Sequence, residues 1–178
     1  MEIVILGLLL LGALFMLVVM FTEMMNFVQT RVPFVPTAKA DLEFMIERAG
    51  IGAEDYVYDL GSGNGKVVFA MADLAGARAK GFQRSGWTQW YAKLRRAMQS
   101  QSRTEFVTGN FFDYSWSDAT VVYAYLYPFL MQSVEDKALE DCQPGTKIVV
   151  RDFNLPSLPH SDTWQTPTGH TMYLYLIK

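Results

Sequence analysis

Cysteine is almost missing from this chain of 178 residues: Cys142 stands alone, which excludes an internal disulfide framework. Histidine is nearly as scarce, and His160 and His170 with Cys142 are too few for a structural zinc site, so no metal is expected. An excess of positive charge is also absent. Without Glu2 and Glu23, 16 acids stand against 15 bases, and nucleic acid is not an expected partner of a domain so balanced. Three local absences say more. No basic residue precedes Arg31, no charged or polar side chain interrupts Ile3 to Phe21, and no acid lies between Leu74 and Thr104.

The uninterrupted apolar run, rising about 1.5 Å per residue as a helix, reaches roughly 28 Å, close to the hydrocarbon thickness of a bilayer. It predicts a transmembrane anchor. A cleaved signal peptide would carry bases before the run and small residues at its end, whereas this run starts Met1-Glu2 and ends Met20-Phe-Thr-Glu-Met-Met25. A buried core helix is disfavoured because leucine and valine occupy every face. The bases that follow, with Arg31, Lys39 and Arg48 nearest the run, place the remaining chain on the cytoplasmic side of a plasma or inner membrane. The acid-free stretch carries Arg78, Lys80, Arg84, Lys93, Arg95, Arg96 and Arg103. It is a solvated helix face, or a surface that meets an anionic leaflet or an acidic partner.

The chain has room for one further domain with a proper core. Its most telling stretch is Tyr56-Val-Tyr-Asp-Leu-Gly-Ser-Gly-Asn-Gly65, an apolar strand that ends in an acid and runs into glycines at 61, 63 and 65. Those glycines let the chain turn tightly and bring backbone N–H groups close to a ligand ahead of a helix over Lys66 to Leu74. A dinucleotide site wants Gly-x-Gly-x-x-Gly, with its acid about 20 residues later. Here the third glycine comes one residue early, and the Asp59 carboxylate would repel phosphate. S-adenosylmethionine carries a sulfonium and an ammonium and no phosphate, so Asp-x-Gly-x-Gly-x-Gly suits it better.

Around this loop the pattern alternates. After a bridge over Thr22 to Pro36, whose prolines keep it extended, Thr37 is expected to cap a helix with Ala38, Leu42, Met45, Ile46 and Ala49 at helical spacing and Gly50 as its stop. Strands are expected at Tyr56 to Leu60, Ala79 to Gln83, Thr104 to Thr108, Ala119 to Tyr125 and Lys147 to Asp152. A helix after the second strand carries Trp87, Trp90, Tyr91, Leu94 and Met98 on one face. The tail, Trp164 to Ile177 with turn residues Pro167 to Gly169, reads as an antiparallel hairpin. The expected fold class is α/β: a Rossmann-like, mostly parallel sheet with an antiparallel C-terminal strand, preceded by one transmembrane helix.

With Val32-Pro-Phe-Val-Pro-Thr37, Asp59-Leu-Gly-Ser-Gly-Asn-Gly65, Asp118-Ala-Thr-Val-Val-Tyr-Ala-Tyr-Leu-Tyr-Pro128 and Pro144-Gly-Thr-Lys-Ile-Val149 in order, the chain resembles a known family. These are small class I (seven-β-strand) S-adenosylmethionine-dependent methyltransferases with an N-terminal membrane helix, whose eukaryotic members are mitochondrial protein-lysine methyltransferases. The resemblance implies an anchor over 1–22, a linker approaching the cofactor site over 23–36 and a methyltransferase domain over 37–178. It also implies that Asp59, Gly61, Ser62, Gly63, Asn64 and Gly65 shape the methionine and ribose part of the site, with Pro33 to Thr37 close by. Gln83 stands where the family usually has an acid for the ribose hydroxyls. Exchanging a charged for a neutral acceptor costs roughly 1 kcal/mol, or about fivefold in affinity. Asn64 replaces a further acid of the family's loop. Asn110 and Phe111 fall where the class contacts adenine, although Phe111 and Phe112 are equally suited to core packing.

Methyl transfer from a sulfonium asks the protein to align a nucleophile and exclude water. For a lysine, presenting the neutral amine at pH 7 costs roughly 4–5 kcal/mol. Tyr125 and Tyr127, at and just beyond the end of the fourth strand, are the expected contacts with the substrate, as hydrogen-bond acceptors or as rings facing an ammonium. His160 and His170 read as isolated and structural, and Asp152 as an acid able to order the site. The expected activity is transfer to a lysine of a membrane-associated protein. The alternatives are a small-molecule or lipid methyltransferase and a non-catalytic membrane assembly partner.

Overall fold

Leucine, valine and methionine with almost nothing polar between them give α1, Glu2–Thr30, in a computed structural model that describes residues 2–30, 37–84, 86–99 and 102–178. Val4–Phe21 within α1 is long and apolar enough to cross a bilayer, and its described side chains are almost all exposed. The helix continues eight residues past Thr22, into the stretch expected to be a bridge. The extended segment expected at Arg31 to Pro36 lies outside the described residues.

From Thr37 onward the chain forms a second unit. Its elements are α2 (Lys39–Ala49), β1 (Tyr56–Leu60), α3 (Lys66–Leu74), β2 (Arg78–Gln83), α4 (Gly86–Gln99), β3 (Thr104–Thr108), β4 (Val121–Ala124), α5 (Pro128–Asp141), β5 (Lys147–Arg151), β6 (Asp162–Gln165) and β7 (Thr171–Leu176). They build one sheet of order β3-β2-β1-β4-β5-β7-β6, parallel except where β7 pairs antiparallel with β5 and β6. The chain winds outward from β1 through β2 to β3, then returns beside β1 to begin β4. The carboxyl ends of β1 and β4 therefore flank the switch point at which such sheets bind ligands.

Alternation along each strand divides the core. Val57, Val121, Tyr123 and Val149 face Leu42 and Met45 of α2 and Val68 and Met71 of α3. Tyr58, Leu60, Val122 and Val150 face Met131, Val134 and Ala138 of α5. Burying each of these larger apolar side chains stabilises the fold by about 1.5–3 kcal/mol, which makes the sheet a rigid base for its upper edge.

Two local expectations are corrected. Thr37 does not cap α2: the N-cap position is Ala38, with no side-chain cap bond, and the Thr37 hydroxyl is instead buried against Tyr123. The apolar face of α4 points outward, with Trp90, Tyr91, Leu94 and Met98 exposed while Gln89 and Ala92 are buried. Periodicity marked that face but not its direction, and the Trp87 side chain lies outside the described residues. Gly50 does stop α2, in the left-handed conformation that glycine adopts without strain.

Candidate active site

β1 delivers Asp59 to the switch point and the chain then turns sharply, with Gly61, Gly63 and Gly65 at φ of 85°, 52° and 79°. Only glycine takes such angles without cost. The loop is pinned from below, since Gly61 and Ser62 N–H both donate to the Phe82 carbonyl at 2.9 and 2.8 Å. It also fits tightly. A Cβ at Gly65 would stand 2.6 Å from the Phe106 ring, and one at Gly81, the register neighbour of Asp59, would stand 2.7 Å from Ser62 Oγ. The loop opens into α3, whose first residues follow Gly65 directly.

Asp59 is 3% exposed, its Oδ2 has no partner among the described residues, and burial pushes its carboxyl up to about 7. Ser62 Oγ is likewise buried without a partner among the described residues. A carboxylate held this way is relieved by a cation, because each orphaned buried polar atom costs about 1–3 kcal/mol. The ammonium of S-adenosylmethionine fits that demand.

Gln83 ends β2 half-buried, and its Oε1 accepts a long bond, 3.4 Å, from Gly63 N–H. The two predicted contributors are thus brought together, with Gln83 leaning on the loop. Asn64 Oδ1 accepts from Lys66 N–H at 3.3 Å and so helps to start α3. Beyond β3, Asn110 Oδ1 accepts from Phe112 N–H at 3.4 Å and caps a short 3-10 turn over Phe111–Asp113. Phe111 is buried, packed on Phe112 and Trp116, and its carbonyl accepts from Trp116 Nε1 at 3.0 Å. Its packing role is therefore secure.

At the end of β4 the predicted residues part company. Tyr125 carries the Arg151 guanidinium 4.7 Å from its ring centroid and meets the edge of His170 at 6.4 Å. Burial, reinforced by the Asp152 carboxylate, pushes its hydroxyl up. Tyr127 stacks on Phe129, their ring centroids 6.0 Å apart. Tyr123, opposite Asp59 in the β1–β4 register, shares a 3.1 Å hydrogen bond with Thr37.

Sequence reasoning missed the polar framework behind these tyrosines. Arg151, at the end of β5, is buried and pairs at 3.1 Å with Asp41 of α2, which is fully buried. Burial opposes the Asp41 charge, but hydrogen bonds from Thr168 and the Arg151 charge outweigh it and hold the carboxyl below its usual value. His170, expected to be isolated, lies 2.9 Å from Asp152 Oδ2. His160 meets the edges of Tyr173 and Tyr175. No group of His, Cys, Asp and Glu among the described residues is arranged to hold a metal.

Known proteins are similar to this chain in sequence and in fold. The family model of the ANTKMT methyltransferase domain matches residues 59–162. A protein-lysine N-methyltransferase of Saccharolobus islandicus (strain REY15A) is 30% identical over 156 residues, 82% of this chain and 94% of the relative. A lysine N-methyltransferase of Xenopus laevis, named for its action on ATP synthase, is 28% identical over 130 residues, 70% of this chain, which spans about half (55%) of that longer protein. The crystal structure of an RNA methyltransferase from Salinibacter ruber, in complex with S-adenosyl-L-homocysteine, superposes with a TM-score of 0.76 at 33% identity, covering 80% of this chain and 94% of the other. With its glycine loop, its buried acid and these relatives, the chain belongs to the ANTKMT methyltransferase domain family and is an S-adenosylmethionine-dependent methyltransferase.

Proposed function

We propose that this methyltransferase is a single-pass membrane protein, with its catalytic domain on the cytoplasmic face of a plasma or inner membrane, that methylates a lysine of a membrane-associated protein. The reading is carried by one conjunction: a 30% identical relative named for lysine N-methylation, on a chain whose first helix holds an exposed apolar span from Val4 to Phe21. Tethering raises the effective concentration of partners in the same bilayer, so a weak site suffices for a membrane-resident substrate. The almost balanced charge beyond the anchor favours a protein over a nucleic acid.

In this reading Asp59 receives the cofactor's ammonium, while Ser62 and the backbone of Gly61, Gly63 and Gly65 line its amino-acid and ribose parts. Gln83 accepts from the ribose hydroxyls, Asn64 sets the loop, Thr37 closes the methionine end through Tyr123, and Asn110 with Phe111 bounds the adenine. When bound, the cofactor supplies an electrophilic methyl group. Tyr125 and Tyr127 face the incoming amine, Tyr125 more directly because it alone joins the Arg151 framework.

Radiolabelled methyl transfer into membranes from cells lacking this protein tests the reading. The expected result is a labelled band that protease removes and that disappears with Asp59→Ala. Label confined to the organic lipid extract would contradict it and favour a lipid substrate.

A further inference from the structure

Three adjacent strands bring an acid, an imidazole and a phenol to one edge of the sheet, beside the glycine loop. Tyr125 follows β4, Asp152 follows β5 and His170 precedes β7. We propose that Asp152, His170 and Tyr125 form the subsite that receives the substrate's primary ammonium, with His170 taking its proton. The proposal rests on the lysine reading above and adds to it the groups that prepare the amine.

The geometry of the pair is built, not incidental. Asp152 has a φ of 64°, alone in the left-handed region among the described non-glycine residues. Such a conformation is strained for a residue with a Cβ and persists only where surrounding contacts fix it. Here they do. Asp152 N–H donates to the Thr171 carbonyl at 2.8 Å, Thr171 N–H returns a bond to Asp152 Oδ1 at 3.2 Å, and His170 Nδ1 lies 2.9 Å from Oδ2. A carboxylate cannot donate, so in the neutral imidazole this contact puts the proton on Nδ1 and the lone pair on Nε2. His170 is itself held at both backbone ends, its N–H donating to Thr166 Oγ1 at 3.1 Å and its carbonyl accepting from Thr166 N–H at 2.7 Å. The same turn is fastened to α2 where Thr168 donates to Asp41.

Charge and access suit a cation. Asp41 and Asp152 together outnumber Arg151, the base between them, so this framework carries one net negative charge while His170 is neutral. Asp41 is sealed at 0% side-chain exposure, but Asp152 and His170 keep 22% and 38%. Tyr125 packs against His170 edge to face, and the Arg151 guanidinium lies 4.7 Å from its ring centroid. An ammonium entering here meets a carboxylate and a ring, the groups that attract it.

The proton step balances. One N–H bond of the ammonium breaks, its electron pair stays on the amine nitrogen, and the proton joins Nε2 of His170. The amine then forms its bond to the methyl carbon as the carbon–sulfur bond breaks and sulfur keeps that pair. The imidazolium returns its proton to water. Asp152 acts through His170, fixing the tautomer and balancing the imidazolium, in the way a buried acid orients a catalytic histidine elsewhere.

With only two histidines in the chain, imidazole proton resonances test this directly on the full-length protein in nanodiscs with S-adenosyl-L-homocysteine. Titration with n-butylammonium is expected to shift the His170 resonances and leave those of His160 unchanged, and Asp152→Asn is expected to abolish the shift. In methyl transfer, His170→Gln is expected to lower kcat about 100-fold, the scale of a lost general base, with the S-adenosyl-L-homocysteine Kd unchanged. A merely structural pair would instead give no n-butylammonium shift at His170, and its loss would weaken that Kd or the fold. No shift at His170, or wild-type kcat in His170→Gln, overturns the proposal. If n-butylammonium shifts His170 while no protein band is labelled, the ammonium subsite stands and the protein-lysine reading fails.

Discussion

Replacing Asp59 with asparagine should move stability and cofactor affinity in opposite directions. The Asp59 carboxyl, pushed by burial from 3.8 up to about 7, holds its proton in the folded state where the unfolded chain has lost it. Stability is therefore fully present below pH 4, falls as pH rises from 4 to 7, and is level above. A shift of about three units at about 1.4 kcal/mol each sets this loss at about 4 kcal/mol, which asparagine avoids because it does not ionise. Without ligand at pH 8, Asp59→Asn should thus be more stable than wild type by a few kcal/mol, with no advantage below pH 4. The cofactor's cation is the missing partner of Oδ2, and a bond to a charged group contributes about 1.5–3 kcal/mol, so the same variant should bind S-adenosylmethionine roughly 10- to 100-fold more weakly at pH 8. Thermal denaturation across pH and calorimetric titration measure the two effects. An asparagine variant that is less stable without ligand, or that binds as tightly as wild type, would refute the reasoning.

Gln83→Glu keeps an acceptor for Gly63 N–H and adds charge toward the ribose hydroxyls, so calorimetry should show S-adenosylmethionine binding about fivefold tighter. Asp41→Asn takes from the buried Arg151 guanidinium the nearer of its two ionic partners. Denaturant unfolding should show a loss of about 3–5 kcal/mol, larger than for Lys39, whose pair with Glu43 is exposed.

The parallel strands and the glycine loop were legible because each rests on local chemistry. β3 and β1 fall where the apolar runs place them, and the positive φ values of Gly61, Gly63 and Gly65 explain why glycine alone occurs there. α5 was not anticipated, although Pro128 at its first turn and the spacing of Met131, Val134 and Ala138 carry a helical signal. The outward face of α4 escaped because a helical period is the same whichever way the stripe points. The framework behind the tyrosines was invisible for a different reason. Asp41 and Thr168 are 127 positions apart, and nothing near either residue announces the other. His170 seemed isolated for the same cause, since its partner Asp152 lies 18 residues earlier across the β5–β7 connection.

The most direct test of the central claim uses S-adenosylmethionine carrying a deuterated methyl group, incubated with the full-length enzyme and membranes from cells that lack it. Mass spectrometry of the digested membrane proteins should find the heavy methyl on a lysine side-chain nitrogen of a membrane-associated protein, and the modification should vanish with Asp59→Ala. Heavy methyl on a lipid, a nucleic acid or a soluble metabolite, with none on lysine, would contradict the account.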